Sequence, residues 1–233
     1  MSQTHSLPLY VQISEMLIRD IHAGRLGDGA RLPPEREMAA DLRISVGTLR
    51  KALADMTAKG LLERRQGSGN YVRAGAAADS VYAFFRLELI EGGGLPTAQV
   101  LSVDTMDKPC DLPAFGQPGQ AHRIRRLRRL NGIPAALEEI WLDASYTPAL
   151  KTTDLSESLY LFYRRRLGLW IARVEDRIGV GVLPEWGAGL LDCAPDAALG
   201  VVTRVSWDQL GKSAEVSRTW YDSDRVSYIS RLK

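Results

Sequence analysis

The chain has 233 residues, 45% of them hydrophobic, and a formal net charge of +2. That is enough apolar material for two soluble globular domains with real cores. No apolar run approaches the length of a membrane span, and the N-terminal MSQTHSLPLY lacks a secretory layout, so the expected compartment is the cytoplasm. The cysteines Cys110 and Cys193 and the histidines His5, His22 and His122 are too scattered for a zinc site or a thiol catalyst, and no cofactor is implied.

Charge is unevenly placed. Residues 1–75 hold 11 Lys and Arg against 8 Asp and Glu, while the remainder is nearly neutral. A basic module joined to a neutral one suggests a polyanion-binding part tethered to something else.

In chain order, PLYVQISEMLIRDIHAG spaces Tyr10, Ile13, Leu17 and Ile21 as one face of a helix, with Gly24 as a stop. LPPEREMAADL predicts a second, short helix with Pro34 at its first position, Glu35 and Glu37 in its first turn, and Met38 and Leu42 inward. A third opens at Ser45, carries Leu49, Leu53 and Met56 on one face, and ends at Gly60. Two short helices so tightly joined form a helix-turn-helix, whose second helix offers its first residues to the DNA major groove. Arg50 lies in its first two turns and off the core face, where an arginine reaches guanine O6 and N7. Ser45 and Thr48 suit a cap, a phosphate contact, or both.

RRQGSGNYV, residues 64–72, spaces its glycines as a phosphate-cradling loop does. A phosphate loop, however, requires a helix with lysine and a hydroxyl residue next, whereas Asn70, Tyr71 and Val72 favour a strand. With LLERR before it, the segment reads as a β-hairpin with a glycine tip, a wing whose backbone can approach DNA. Arg25, Arg31, Arg43 and Lys59 are read as ordinary solvated charges.

RAGAAADS, residues 73–80, is small and polar without periodicity and reads as an interdomain linker. Beyond it, strand-like AQVLSV and ALGVVTRVSW alternate with helix-like SLYLFYRRRLG and LPEWGAGLLD, so an α+β domain is expected. In HRIRRLRRLNGIPAALEEIWL, Asn131-Gly132 favours a β-hairpin over a basic helix. Alternation then puts Arg126 and Arg128 on one face with Ile124 and Leu130. Glu138 would oppose Arg126 across an odd-numbered loop, whereas a two-residue loop would send it to the other side. These three residues form either an internal ion-pair network or an anion site.

The run LPPEREMAADLRISVGTLRKALADMTAKGLLERRQGSGNYV resembles the winged helix-turn-helix of the GntR family of bacterial transcription regulators, over residues 8–73. The resemblance implies DNA contacts at Arg36, Ser45, Gly47, Thr48, Arg50, Gln66 and Gly67. Many members carry an arginine where this chain has Val46, which offers apolar contact with a thymine methyl instead. RLRRLNGIPAALEEIWL, DLSESLYLFY, GKSAEVSRTWYDSDR and LPTAQVL are similar to the effector-binding UTRA domain of the HutC-type branch, whose fold resembles chorismate lyase. That resemblance implies anion-holding positions at Thr97, Arg126, Arg128, Ser158 and Tyr160, with Glu138, Glu215 and Tyr221 around the rest of the ligand.

The expectation is a non-enzymatic regulator with a DNA-binding domain at 1–73, a linker at 74–80 and an effector-binding domain at 81–233. Its expected partners are palindromic operator DNA, a second copy of the chain and a small anionic metabolite (phosphorylated sugar, phosphonate or carboxylate), with no membrane. A DNA-tethered lyase and an architectural DNA binder are the alternatives.

Overall fold

The computed structural model describes residues 7–73, 82, 84–156, 158–194 and 196–231. The linker reading at 74–80 lies outside them. The chain divides into two compact units, one built mainly on Leu7–Phe85 and the other on Arg86–Gly92 with Pro96–Ile229.

The first unit runs α1 (Leu9–His22), α2 (Glu35–Asp41), α3 (Val46–Ala58), β1 (Leu62–Arg65) and β2 (Gly69–Val72). Ile13, Leu17 and Ile21 of α1 meet Leu49, Leu53 and Met56 of α3 in one core, closed by Leu61, Leu62 and Val72 of the hairpin. Pro34 stands one place earlier than expected, as the residue that caps α2 rather than its first helical residue, with φ −52° and ψ 137°. The turn between α2 and α3 occupies 42–45, where Arg43 adopts a left-handed φ of 52°. The wing pairs Leu62 with Val72 through Arg65 with Gly69, and Arg31 adds an isolated bridge to Tyr71.

The second unit carries β3 (Leu87–Leu89), β4 (Pro96–Asp107), β5 (Gln120–Leu130), β6 (Ile133–Asp143), α4 (Leu159–Phe162), β7 (Ile171–Gly181), β8 (Leu199–Asp208), β9 (Ser213–Tyr221) and β10 (Val226–Tyr228). Six strands form an antiparallel sheet in the order β4-β5-β6-β9-β8-β7, and β3 pairs with β10 separately. Helix-like SLYLFYRRRLG becomes α4 and one π-helical turn, Tyr163–Leu167. LPEWGAGLLD keeps only a 3-10 turn at Glu185–Gly187, because its glycines, Gly189 with φ 76° among them, cannot sustain a helix. Its leucines serve the core instead, with Leu191 packed beside Leu127, Leu137 and Leu199.

The β5–β6 hairpin resolves the register that the sequence leaves open. Its loop is the two-residue Asn131-Gly132, with φ 51° and 80°, the doubly positive pattern of a type I′ turn. A two-residue loop alone would put Glu138 on the wrong face. The strand corrects this with a bulge: Arg129 pairs with Pro134 but Arg128 pairs with Ala136, so Ala135 is the extra residue and Glu138 comes opposite Arg126. Pro134 has no N–H to give a ladder, and a bulge tolerates it.

Deleting Ala135 forces a choice between the tight turn and the pairing of Glu138 with Arg126. We expect a loss of about 3–5 kcal/mol in urea unfolding, the scale for leaving a buried charge uncompensated. A deletion variant as stable as the parent would show that the bulge does not set the register.

Candidate functional sites

In the first unit the expected DNA-facing residues lie on exposed turns. Ser45 caps α3, its Oγ accepting from the Thr48 amide at 3.0 Å while the two side-chain oxygens stand 2.9 Å apart. The cap leaves Thr48 held but accessible. Arg50 is 66% exposed and donates from Nε to Glu35 of α2 at 2.6 Å, so the two helices of the motif share this arginine. Arg36, Gly47 and Gln66 are exposed, and Gly67 takes a left-handed φ of 72° at the wing tip. The wing is braced from behind: Arg65 lies over the Tyr71 ring at 4.3 Å and Ser68 Oγ lies 2.7 Å from the Tyr71 hydroxyl. Val46 is half-buried against the helical core, so it is less exposed than its position at the head of α3 suggests.

In the second unit the sheet gathers charge on one face. Opposed residues of an antiparallel ladder point the same way, and the pairs Arg126–Glu138, Glu138–Thr219, Leu142–Glu215, Ser206–Glu215 and Arg204–Ser217 therefore define one face. Glu138 accepts from Arg126 at 2.6 Å and from Arg128 at 3.2 Å, and all three are buried. Ser158 caps α4, which with the π-helical turn after it lays Tyr160 and Tyr163 over this face. Glu215, 2% exposed, accepts from Tyr163 at 2.7 Å, from Tyr160 at 3.2 Å and from Ser206 at 3.1 Å. Tyr221 reaches the same face, its ring seated on Gly200, where a Cβ would stand 2.3 Å from the ring.

The two glutamates titrate in opposite directions. Burial alone would raise the Glu138 carboxyl, but Arg126 and Arg128 together hold it below the ordinary glutamate value. Burial raises Glu215 above that value despite the donors around it. Burial and the neighbouring Glu215 also push the Tyr160 and Tyr163 hydroxyls up, so both remain hydrogen-bond donors. Burial disfavours the charge on Arg126, yet a guanidinium stays protonated in proteins.

Thr97 does not join this cluster. It opposes Arg129, which alternation sends to the other side of β5, where Arg129 bonds Gln99. Conversely, sequence reading missed Tyr163, Ser206 and Arg204. Arg204 and Ser206 were detectable by the same signal as Arg126 and Arg128, polar residues at alternate positions of the apolar run VVTRVSW. Tyr163 follows Tyr160 at helical spacing. Among the described residues, no group of three or more His, Cys, Asp and Glu is placed to hold a metal.

A winged helix-turn-helix joined to a sheet domain with a buried arginine cluster defines a class, the one-chain transcription regulator with its own sensing domain. Residues 9–72 match the family described as bacterial regulatory proteins, gntR family, and residues 91–227 match the UTRA domain. The chain is 58% identical over 228 residues to the HTH-type transcriptional regulator SmoD of Agrobacterium fabrum, covering 98% of this chain and 97% of that protein. It is 28% identical to the HTH-type transcriptional repressor NagR of Bacillus subtilis, covering 97% and 96%. In fold it resembles PhnF from Mycobacterium smegmatis, with a TM-score of 0.53 at 24% identity over 95% of this chain and 99% of that one. It also resembles the ligand-binding domain of a GntR-family regulator from Bordetella bronchiseptica, with a TM-score of 0.58 at 24% identity over 65% and 99%. The chain belongs to the GntR family and carries a UTRA domain. It is a transcription regulator, not an enzyme.

A carboxyl whose folded-state pKa is raised costs stability as pH climbs from its unfolded value, about 4.3, through its folded value. Glu215→Gln should therefore show a flatter fall in thermal midpoint than the parent over that rise. Glu138 has the opposite sign: its contribution is present above its unfolded pKa and is lost on acidification through its depressed one. A parent and a Glu215→Gln variant with parallel pH profiles would mean that Glu215 ionises freely in the folded chain.

Proposed function

We propose that this regulator is a cytoplasmic repressor that binds a palindromic operator as a homodimer and responds to a small anionic metabolite held by the buried cluster of its UTRA domain. In this reading, residues 1–73 recognise DNA, 74–80 link the modules and 81–233 bind the effector and the second copy. The observation that carries the effector reading is the burial of two arginines, Arg126 and Arg128, side by side with Glu138 on one face of the sheet. A phosphate or carboxylate suits two adjacent guanidinium groups, whose geometry offers it charge-assisted, bidentate contacts. Ser158 and Tyr160 stand beside the anion, while Glu138, Glu215 and Tyr221 accept from or pack on the hydroxyl and amine groups of the remainder. Thr97 is left out of this set by its place on the other face.

On the DNA side, Arg50 reads a guanine, Ser45, Thr48 and Arg36 hold phosphates, Gly47 lets the backbone approach, and Gln66 with Gly67 brings the wing to the duplex. Val46 touches a thymine methyl with its exposed edge. One such module contacts too few bases for selective binding, so two copies must read two half-sites. Edge strand β7 offers the second copy a surface, with Ile178 57% and Val180 80% exposed.

Arg50→Ala should lose most operator preference, about 1–3 kcal/mol, while keeping weak salt-sensitive binding. Equal losses on operator and random DNA would make Arg50 a phosphate contact. For the effector, a thermal-shift panel of sugar phosphates, phosphonates and carboxylates identifies the ligand through its stabilisation of the folded state. Arg128→Ala should then bind operator as the parent does but lose about 1.5–3 kcal/mol in ligand binding, read by calorimetry, and fail to release DNA. Unchanged ligand affinity would return the arginines to an internal ion-pair role.

A further inference from the structure

Beyond the cluster, the same face of the sheet carries a second, largely shielded charge pair that the effector reading does not use. Asp176 of edge strand β7 lies directly opposite Arg204 of β8, and the two form a bidentate ion pair with both contacts at 2.6 Å. On one side Arg204 is within hydrogen-bonding reach of Tyr160, the residue of α4 whose hydroxyl lies 3.0 Å from Ser206 Oγ and 3.2 Å from Glu215. On the other side Asp176 accepts from the hydroxyl of Tyr228, and the charge of Arg86 is near enough to be felt by its carboxyl. Tyr228 ends β10 and pairs with Leu87 of β3, while Arg86 immediately precedes β3 and its carbonyl accepts from the Ile229 amide at 2.8 Å. The contacts thus run without interruption from Tyr160 through Arg204 and Asp176 to the two-stranded β3–β10 sheet.

A surface ion pair would be a poor carrier of such coupling, since solvent screens it and its side chains wander. This one is shielded, with side chains only 15% and 12% exposed, and its two-point geometry fixes both groups. Burial outweighed by Arg204 holds the Asp176 carboxyl low, and the pairing with Asp176 keeps Arg204 charged. A shift of Tyr160 that pulls on Arg204 therefore cannot be absorbed by releasing a proton, and it reaches Asp176 as a displacement. Asp176 in turn has partners on β10 and beside β3, the strand that follows the wing in chain order.

We infer that Arg204, Asp176 and Tyr228 are positioning residues that couple occupancy of the arginine cluster to the β3–β10 sheet, of which β3 is the strand that follows the wing in chain order. The inference rests on the proposed effector site and adds the route by which that site is read out. Coupling of this kind needs an element with two arrangements that the ligand stabilises unequally. The β3–β10 sheet suits that part: it has three residues per strand, and it is not a member of the six-stranded sheet.

The test uses the full chain, inorganic phosphate as the probe of the anion position, and hydrogen–deuterium exchange at 87–89 and 226–228, which reports local opening of those strands. In the parent, phosphate should raise the thermal midpoint and change exchange in both strands several-fold. Tyr228→Phe removes one hydroxyl and leaves the Arg204–Asp176 pair in place. It should keep the phosphate-induced rise in midpoint and lose the exchange response. Arg86→Gln, which removes the charge facing Asp176 from the β3 side, should reduce the same response and serves as the second variant if Tyr228→Phe does not fold. An exchange response that survives in Tyr228→Phe, or a parent that binds phosphate without any change at 87–89, overturns the relay and leaves the effector site standing. No phosphate-induced rise in the parent, or one retained by Arg128→Ala, removes the effector site itself and the relay with it.

Discussion

The second unit is organised around one electrostatic constraint: two guanidinium groups, Arg126 and Arg128, are buried side by side with the carboxylate of Glu138. Charges taken out of water cost several kcal/mol each, and only good geometry with further hydrogen bonds repays it. Much of what surrounds the trio can be understood as meeting that cost. The Ala135 bulge turns Glu138 to the arginine face, and strands β9 and β8 bring Glu215 and Ser206 alongside. Tyr160 of α4 and Tyr163 of the π-helical turn that follows it donate to Glu215. A face assembled this way is poor as a hydrophobic core and good as a receptor for charge. The opposite face does the packing, through Leu127, Leu137, Leu191 and Leu199 and through Trp141 with Val216.

The DNA-binding unit divides its labour differently. Its core is conventional, aliphatic side chains of α1 and α3 closed by the hairpin, and it holds the start of α3 rigid. Function falls to residues that this core leaves exposed. Ser45 shows how one atom serves two ends, because the oxygen that caps α3 also positions the Thr48 hydroxyl. Arg50 is held by Glu35 at 2.6 Å, which ties the exposed side of α3 to α2. Val46 is a compromise, half given to the core and half to solvent.

The two carboxylates of the buried face illustrate how similar residues acquire different roles. Glu138 is ion-paired with two arginines and is held ionised, whereas Glu215 accepts hydrogen bonds from hydroxyls, with Arg126 and Arg204 close enough to be felt, and burial still raises it. One is a fixed counter-charge and the other an adjustable acceptor.

The sequence by itself determined the elements whose causes are local. Helical spacing set α1 and α3, Ser45 marked the start of the recognition helix, Asn131-Gly132 required a tight hairpin, and the resemblance in residues 8–73 identified the family. Arg126 and Arg128 were legible as inward arginines because a strand's period of two is a local property. What the sequence left open were matters of register and approach. Whether Glu138 faces Arg126 depended on one extra residue in β6, and a one-residue slip reverses every side chain on a strand. The exclusion of Thr97 followed from its pairing with Arg129, and the inclusion of Arg204, Ser206 and Tyr163 followed from strands and a helix that are far apart in the chain. Those relations exist only between elements, so only the tertiary structure could decide them.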